Sequence, residues 1–439
     1  MQNKTESLIR KAENFYRRGA FERTEKICRR ILKTEADNCR VLTLLGNAYF
    51  CRRDYPGAMF CYQKIEKLCP DYVVNLINLA NVCFEEKQYS QAKGYAERAL
   101  LAEPENAAAL SLLGNALLNM KNYDEAITIL TRLLKLCPLD FWAANSLSQA
   151  WQKKGSFSLA FSYALRAVEK SGGDASQQLN LNYLLYETAQ EKGAASIARE
   201  VDLWERKFGS DPQVKFMIRA LRNDRDAGIA DSGYVNTVFD VFAADFETVL
   251  AGLDYAAPQY VSEFAAGFYG GLKWKKLRIL DAGCGTGLCA PFLKKYASWH
   301  GLEGVDLSSG MLAEAARKKL YARLYCQELC AFLSGHKKRY DLIAAADVLT
   351  YFGDLDSVFA GFAFALKKNG RIIFTVTQNV YDDSDWYLHL SGRFAHRFSY
   401  LQNTLGKHGF NIEKSELKQL RTEGGEKVMG YVVSAVGKA

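Results

Sequence analysis

Through the first half of this 439-residue chain, residues of fixed type return every 34 positions. Pro70, Pro104 and Pro138 keep that interval, as do Tyr55, Tyr89, Tyr123 and, conservatively, Phe157. Ala58, Ala92, Ala126 and Ala160 form a third series, and Leu45, Leu79, Leu113 and Leu147 a fourth. The small residue after the leucine (Gly46, Ala80, Gly114) lets two helices approach closely. The alanine does the same from the opposing helix, and the aromatic fills the space between them. The proline closes each unit because it cannot sit in a helix interior. Such units are helical hairpins that cannot bury their apolar faces alone, so they must stack.

Leu45-Gly46, Tyr49, Tyr55, Ala58, Tyr62 and Pro70 resemble the tetratricopeptide repeat. In this phase repeats begin near residues 5, 39, 73, 107 and 141. The first copy uses Ala12, Phe15, Gly19 and Phe21; the fifth uses Leu147, Trp151, Gly155, Phe157 and Ala160. A worn sixth copy retains Gly193 and Ala198 and is expected to cap the array before about residue 222. Asn47, Asn81 and Asn115 fall on one repeat position, in a row on the inner face. The resemblance implies that such a row holds a peptide or protein partner, an amide being both donor and acceptor. The alternative is that each Asn packs or caps its own repeat.

Between about 208 and 232 the pattern loosens into Gly209-Ser210-Asp211-Pro212 and Asn223-Asp224-Arg225-Asp226-Ala227-Gly228, which marks a domain junction. Helices are expected near 233–251 and 257–271. Then come a strand at 277–281, a helix from Gly287, a strand at 301–307 and a helix at 309–319. Strands at 321–327 and 340–346, a helix at 354–367 and a strand at 371–377 follow, with two last strands at 411–421 and 427–437. Such alternation means a parallel sheet covered on both faces. In Asp281-Ala-Gly283-Cys-Gly285-Thr-Gly287 an apolar strand runs into a glycine turn, where the backbone can come close to a ligand. The spacing is G-x-G-x-G, not that of the dinucleotide binders. Asp306 ends the next strand 25 residues after Asp281, placed to accept both hydroxyls of a ribose.

These residues are similar to the class I S-adenosylmethionine methyltransferases, over about 200 residues. The resemblance implies a Rossmann-like α/β domain with S-adenosyl-L-methionine as cofactor. Asp281, Gly283, Gly285 and Gly287 would hold its amino-acid part and Asp306 its ribose. Met311 would pack on the adenine, with Gln327 and Glu328 at the adenine amino group. Asp347 would face the methionine part and the acceptor. Tyr234, Phe239-Asp240, Phe242, Phe246, Asp347, Tyr351, Gly353-Asp354 and Ser391-Gly392-Arg393 with His396 resemble, more narrowly, methyltransferases that often carry tetratricopeptide repeats and whose acceptors are poorly defined. Glu247 stands where those proteins usually have Asp, and Phe242 where they usually have Tyr.

The fold expected is an all-α solenoid over 1–222 followed by an α/β methyltransferase domain over 229–439. Methyl transfer from a sulfonium is a displacement governed by positioning, with one base to take an acceptor proton. His396 is the candidate base and Arg393 the candidate clamp for an anionic group, with Asp347 beside them. That segment, dense in Trp386, Tyr387, Phe394 and Phe398, is expected to close over the cofactor with the helix bearing Tyr234, Phe239 and Phe242. The alternative is that Arg393 and His396 only order a loop. No metal-ligand spacing links the five histidines. Net charge is +8, spread as pairs such as Arg29-Arg30 and Lys337-Lys338, which reads as solvated surface and disfavours nucleic acid. The eleven cysteines form no C-x-x-C pair and read as buried thiols of a reducing, cytoplasmic setting. The N-terminus is polar and no apolar run is long enough to span a bilayer, so no membrane role is expected. Three classes of function follow. The first is a methyltransferase whose repeats recruit a protein or a carrier-bound acceptor. The others are a scaffold with a cofactor-binding but non-catalytic domain, and a nucleic-acid methyltransferase.

Overall fold

The computed structural model describes residues 2–224, 228–271, 277–423 and 425–437. Contacts divide the chain into two units, Met1–Gln177 and Gln178–Ala439.

In the first unit α1 (Gln2–Arg17) pairs with α2 (Phe21–Leu32), α3 (Cys39–Cys51) with α4 (Tyr55–Leu68), and α5 (Val73–Glu85) with α6 (Tyr89–Ala102). The pairs α7 (Ala107–Asn119) with α8 (Tyr123–Leu136), and α9 (Phe141–Lys153) with α10 (Phe157–Ser171), complete five hairpins. Every second helix opens on the aromatic of its repeat. The small residues do the work expected of them: a Cβ on Gly46 would lie 2.5 Å from the Tyr62 ring, and one on Gly114 2.6 Å from Leu130. Two periodic devices were not read from the sequence. The turn inside each hairpin uses a left-handed residue at one position, with φ of 72, 60, 60, 64 and 72° at Gly19, Arg53, Lys87, Lys121 and Gly155. Glycine marks only the first and last copies, and three cations accept the strain in between. On each second helix from α4 onward a cation donates to a backbone carbonyl 28 residues earlier: Lys64 to Ala36, Arg98 to Pro70, Arg132 to Pro104 and Arg166 to Pro138. These bonds fix the step from one hairpin to the next.

The second unit begins within α11 (Ala175–Lys192) and continues with α12 (Ala198–Phe208) and α13 (Pro212–Leu221). Gln178 accepts from the buried Trp204 indole at 2.7 Å, and Phe216 of α13 packs at 5.0 Å on Tyr234 of α14 (Ser232–Phe242). The worn sixth repeat therefore shares the second unit's contacts, whereas the sequence limit of 1–222 counted it with the array. Residues 225–227 of the expected junction lie outside the described residues.

Next come α15 (Phe246–Ala251) and α16 (Ala257–Tyr269), then β1 (Leu277–Ala282), α17 (Ala290–Leu293), β2 (Ala297–Asp306), α18 (Ser309–Arg317) and β3 (Arg323–Cys326). They are followed by α19 (Leu329–Ser334), β4 (Tyr340–Ala345), α20 (Asp356–Ala365), β5 (Leu366–Gln378), β6 (Trp386–Leu388), β7 (Phe394–His396), α21 (Phe398–Lys407), β8 (Phe410–Glu423) and β9 (Glu426–Gly437). Strands β3, β2, β1, β4 and β5 run parallel in that spatial order. Antiparallel β9 pairs with β5, and β8 with β9. The β6–β7 hairpin attaches to the end of β5 at Thr377 and Gln378. One face buries Phe332, Phe359, Phe362 and Phe374; the other buries Val261, Phe264, Leu293 and Leu420. The order reverses between β1 and β4, which opens a crevice at their carboxyl ends.

The expected helix at 233–251 breaks into α14 and α15, and the helix after the glycine turn shrinks to α17. α19, α21, β6 and β7 were not expected. The two helices lie in stretches left unassigned from the sequence, and three-residue strands are too short for a period to show. The expectation that the cysteines are buried needs correction. Cys28, Cys61, Cys83, Cys284 and Cys289 are buried, but Cys51, Cys69 and Cys326 are exposed and Cys39, Cys137 and Cys330 lie between. Among the described residues no helix is long and apolar enough to cross a membrane.

Candidate active site

The turn after β1 holds three left-handed glycines, Gly283, Gly285 and Gly287, with φ of 65, 53 and 86°. A Cβ on Gly285 would meet nothing within 4 Å, so its backbone borders open space. Its N–H donates to Asp306 Oδ2 at 2.8 Å, and Ser308 N–H donates to Asp306 Oδ1 at 2.9 Å. The carboxylate at the end of β2 is thus fixed against the turn after β1, and each oxygen keeps a lone pair. Burial raises the Asp306 carboxyl above its ordinary value, and the backbone donors oppose that.

A cleft of about 1270 Å³, its open mouth included, lies over this turn. Asp281, Gly283, Gly285, Asp306, Gln327, Glu328, Asp347 and Arg393 all line it. Gly287 and Met311 do not: a Cβ on Gly287 would meet the Tyr321 ring at 3.0 Å, and Met311 is buried beneath the start of α18. Gln327 is exposed, and Glu328 caps α19 through Ala331 N–H at 2.7 Å.

α14 and α15 form the roof and are tied down at two points. Asp240 accepts from the Ser308 hydroxyl and from Gly310 N–H, and Glu247 accepts from the Thr286 hydroxyl and Lys318 at 2.7 and 2.6 Å. Phe239 reaches into the cleft between Phe246 and Tyr351, at 5.8 and 5.4 Å. Of its expected companions, Tyr234 is buried against Phe216 and Phe242 is 49% exposed.

At the other end of the cleft Asp347 has φ of 56°, a strained value for a residue with a side chain, and its N–H donates to the Thr375 hydroxyl. Its carboxylate accepts from Arg421 Nη1 at 3.2 and 3.3 Å. Arg421 is buried, and its Nε reaches Glu423 Oε2 at 3.1 Å. Arg393 Nη1 donates to that same oxygen at 3.0 Å. Burial pushes the Glu423 carboxyl up, but the two guanidiniums outweigh it and hold it below its usual value. Arg421, Glu423 and Tyr255 were not singled out from the sequence. A cation inside an otherwise strand-like run, directly after Leu420, was the available signal.

His396 is fully buried and absent from the lining, although the sequence made it the candidate base. Its Nε2 bonds the Gly353 carbonyl at 3.0 Å, so that nitrogen carries the proton. Burial pushes its pKa down to about 4. Its neighbours pack elsewhere as well: Tyr387 stacks on Tyr381, Phe398 packs tilted against Tyr431, and Trp386 meets Tyr400 edge to face. In the array, Asn47 accepts from the Tyr62 hydroxyl at 2.6 Å, and Asn115 bonds Ser111 and Ser146.

Asp281 is buried, and this pushes its carboxyl up to about 7 despite the Tyr321 hydroxyl donating at 2.6 Å. Its folded value lies above the unfolded one, so the stability it contributes is full below pH 4 and is lost as pH rises through about 7. Asp281→Asn should remove that loss. In urea unfolding the variant is expected to gain on the wild type by about 2–4 kcal/mol between pH 5 and pH 8. A constant difference across that window would mean the carboxyl is not perturbed.

The class that the fold defines is a Rossmann-like α/β domain with an open crevice at the β1–β2 edge. The family profile described as a methyltransferase domain matches residues 250–415, and the tetratricopeptide repeat profile matches residues 83–140. Residues 250–415 thus match a methyltransferase domain and residues 83–140 a tetratricopeptide repeat. Human methyltransferase-like protein 27 is 36% identical over 116 residues, 26% of this chain and 44% of that protein. The ubiquinone biosynthesis O-methyltransferase of Coxiella burnetii is 26% identical over 160 residues, 35% of this chain and 65% of that protein. The malonyl-[acyl-carrier protein] O-methyltransferase of Priestia megaterium is 29% identical over 126 residues, 28% of this chain and 43% of that protein. The chain spans less than two thirds of the length of each of these relatives. Among solved structures, a putative S-adenosylmethionine dependent methyltransferase from Listeria monocytogenes aligns with a TM-score of 0.33 at 20% identity, covering 41% of this chain and 99% of that one. The MamA protein aligns with a TM-score of 0.36 at 22% identity, covering 39% and 94%.

Proposed function

We propose that the second unit transfers a methyl group from S-adenosyl-L-methionine to an acceptor held in the roofed end of the cleft, and that the repeats recruit a protein or carrier-bound acceptor. The carrying observation is Asp306, fixed across the crevice by the Gly285 N–H beside open space. The residues present fit the cofactor. Asp306 offers lone pairs to two ribose hydroxyls, Gln327 and Glu328 lie at the far edge, and Asp281 offers a buried carboxylate to a cationic amino group. The cofactor supplies an activated methyl on a sulfonium. The chain's own part is to orient it, to roof the cleft with α14 and α15, and to fix the acceptor. Asp347, held by Arg421, is proposed to face the join between the two. On the array, Asn81 is half-buried and makes no side-chain bond among the described residues, so it is the member of the asparagine row best placed for a partner.

Asp306→Ala tests this reading. Calorimetry with S-adenosylhomocysteine should show micromolar-range binding to the wild type and at least a tenfold loss in the variant, since charge-assisted bonds of about 1.5–3 kcal/mol each disappear. Equal affinities would refute the cofactor assignment.

A further inference from the structure

On the reading that this cleft transfers a methyl group, we propose that its acceptor is a carboxylate carried on an apolar body, gripped by Arg393 and Arg421 and converted to a methyl ester. The grip is visible in the structure. Both guanidiniums line the cleft and meet at one oxygen of Glu423, at 3.0 and 3.1 Å. Arg421 spends Nη1 on Asp347 and Nε on Glu423, which leaves Nη2 to donate. Planar guanidiniums with spare N–H groups are suited to a carboxylate. Beyond them the walls are apolar, formed by Phe239, Phe246, Leu250 and Leu253.

The second observation is that the arginine end of the cleft, where Asp347 is held by Arg421, offers no free base. Among the described residues lining it there is no histidine and no lysine. Of the carboxylates in the cleft, Asp347 is held by Arg421, Glu328 by Ala331 and Asp306 by two backbone N–H groups, while Asp281, its carboxyl raised to about 7, lies at the glycine turn and is held by Tyr321. Burial, with Asp347 nearby, keeps the Tyr255 hydroxyl protonated, and burial does the same for the Cys284 and Cys289 thiols. An alcohol or an ammonium acceptor must shed a proton; a carboxylate arrives ionised near neutral pH. In the step, a carboxylate oxygen forms the new C–O bond to the methyl carbon as the C–S bond breaks. The electron pair goes to sulfur, leaving a neutral thioether and an ester, and no proton moves.

The test uses the full chain saturated with S-adenosylhomocysteine and three probes of one shape: octanoate, octanol and octanamide. Calorimetry should show octanoate binding at least tenfold more tightly than the other two. Arg393→Gln should lower octanoate affinity at least tenfold while S-adenosylhomocysteine affinity stays within twofold, which also reports that the variant is folded. Arg393→Lys, which keeps the charge and loses the fork, should fall between. Labelled S-adenosylmethionine with octanoate should give a product that releases methanol in base. Octanol or octanamide binding as well as octanoate overturns the carboxylate assignment. Failure of S-adenosylhomocysteine to bind the wild type overturns the cofactor reading instead, and this one with it.

Discussion

His396→Ala is expected to destabilise the second unit by about 2–4 kcal/mol and to leave S-adenosylhomocysteine affinity within threefold of wild type. The ring is fully buried and stacks on Tyr400 at 6.1 Å, while its Nε2 satisfies the Gly353 carbonyl. Truncation leaves a cavity and an orphaned carbonyl together. Tyr400 in turn accepts from Leu355 N–H and donates to Asp354, so the two rings pin residues 353–355 from below. The same connection bears Asp347, Val348 and Tyr351 on the cleft wall. His396 is therefore expected to act through that wall, as a positioning residue. Urea unfolding and calorimetry separate the two effects. Unchanged stability with lost turnover would instead put the imidazole at the acceptor.

The reason sequence reading made His396 a base is instructive. A histidine near Arg393, after the fifth strand, has the composition of an acceptor loop. What decides its placement is that Phe394–His396 pairs with Trp386–Leu388 and with Gln378 as a short strand, which turns His396 inward. Three-residue strands leave no period to read. By contrast the array was legible to within a residue or two, because 34-residue recurrence reports packing that repeats itself. Even there, the left-handed turn position was hidden where Arg53, Lys87 and Lys121 replace glycine. The glycine-turn end of the cleft was also legible as structure, since Asp281 to Asp306 spans one local β–turn–α–β unit. The Arg421–Glu423 end was not. It comes from a strand more than 130 residues beyond the glycine turn, and only antiparallel pairing through β9 and β5 brings it to the cleft.

Gly283→Ala should have the larger effect on binding, a loss of S-adenosylhomocysteine affinity of at least a hundredfold. Two penalties coincide at this residue. Its φ of 65° costs a side chain about 1–2 kcal/mol. Its Cβ would lie 2.4 Å from Val348 Cγ2 and 2.5 Å from Val348 Cβ, an overlap that must move the backbone at about 1–3 kcal/mol. Val348 follows the strained Asp347, so the displacement reaches both ends of the cleft: the turn against Asp306 on one side, the carboxylate on Arg421 on the other. The double variant Gly283→Ala with Val348→Ala separates the terms. It removes the nearest overlap, that with the Val348 γ-methyl, while the residual approach to the Val348 Cβ and the dihedral strain remain. About a tenfold recovery of affinity is therefore expected, with the remainder still missing. Full recovery would show that crowding alone fixes glycine here. No recovery would show that the left-handed turn itself is what the cofactor site requires.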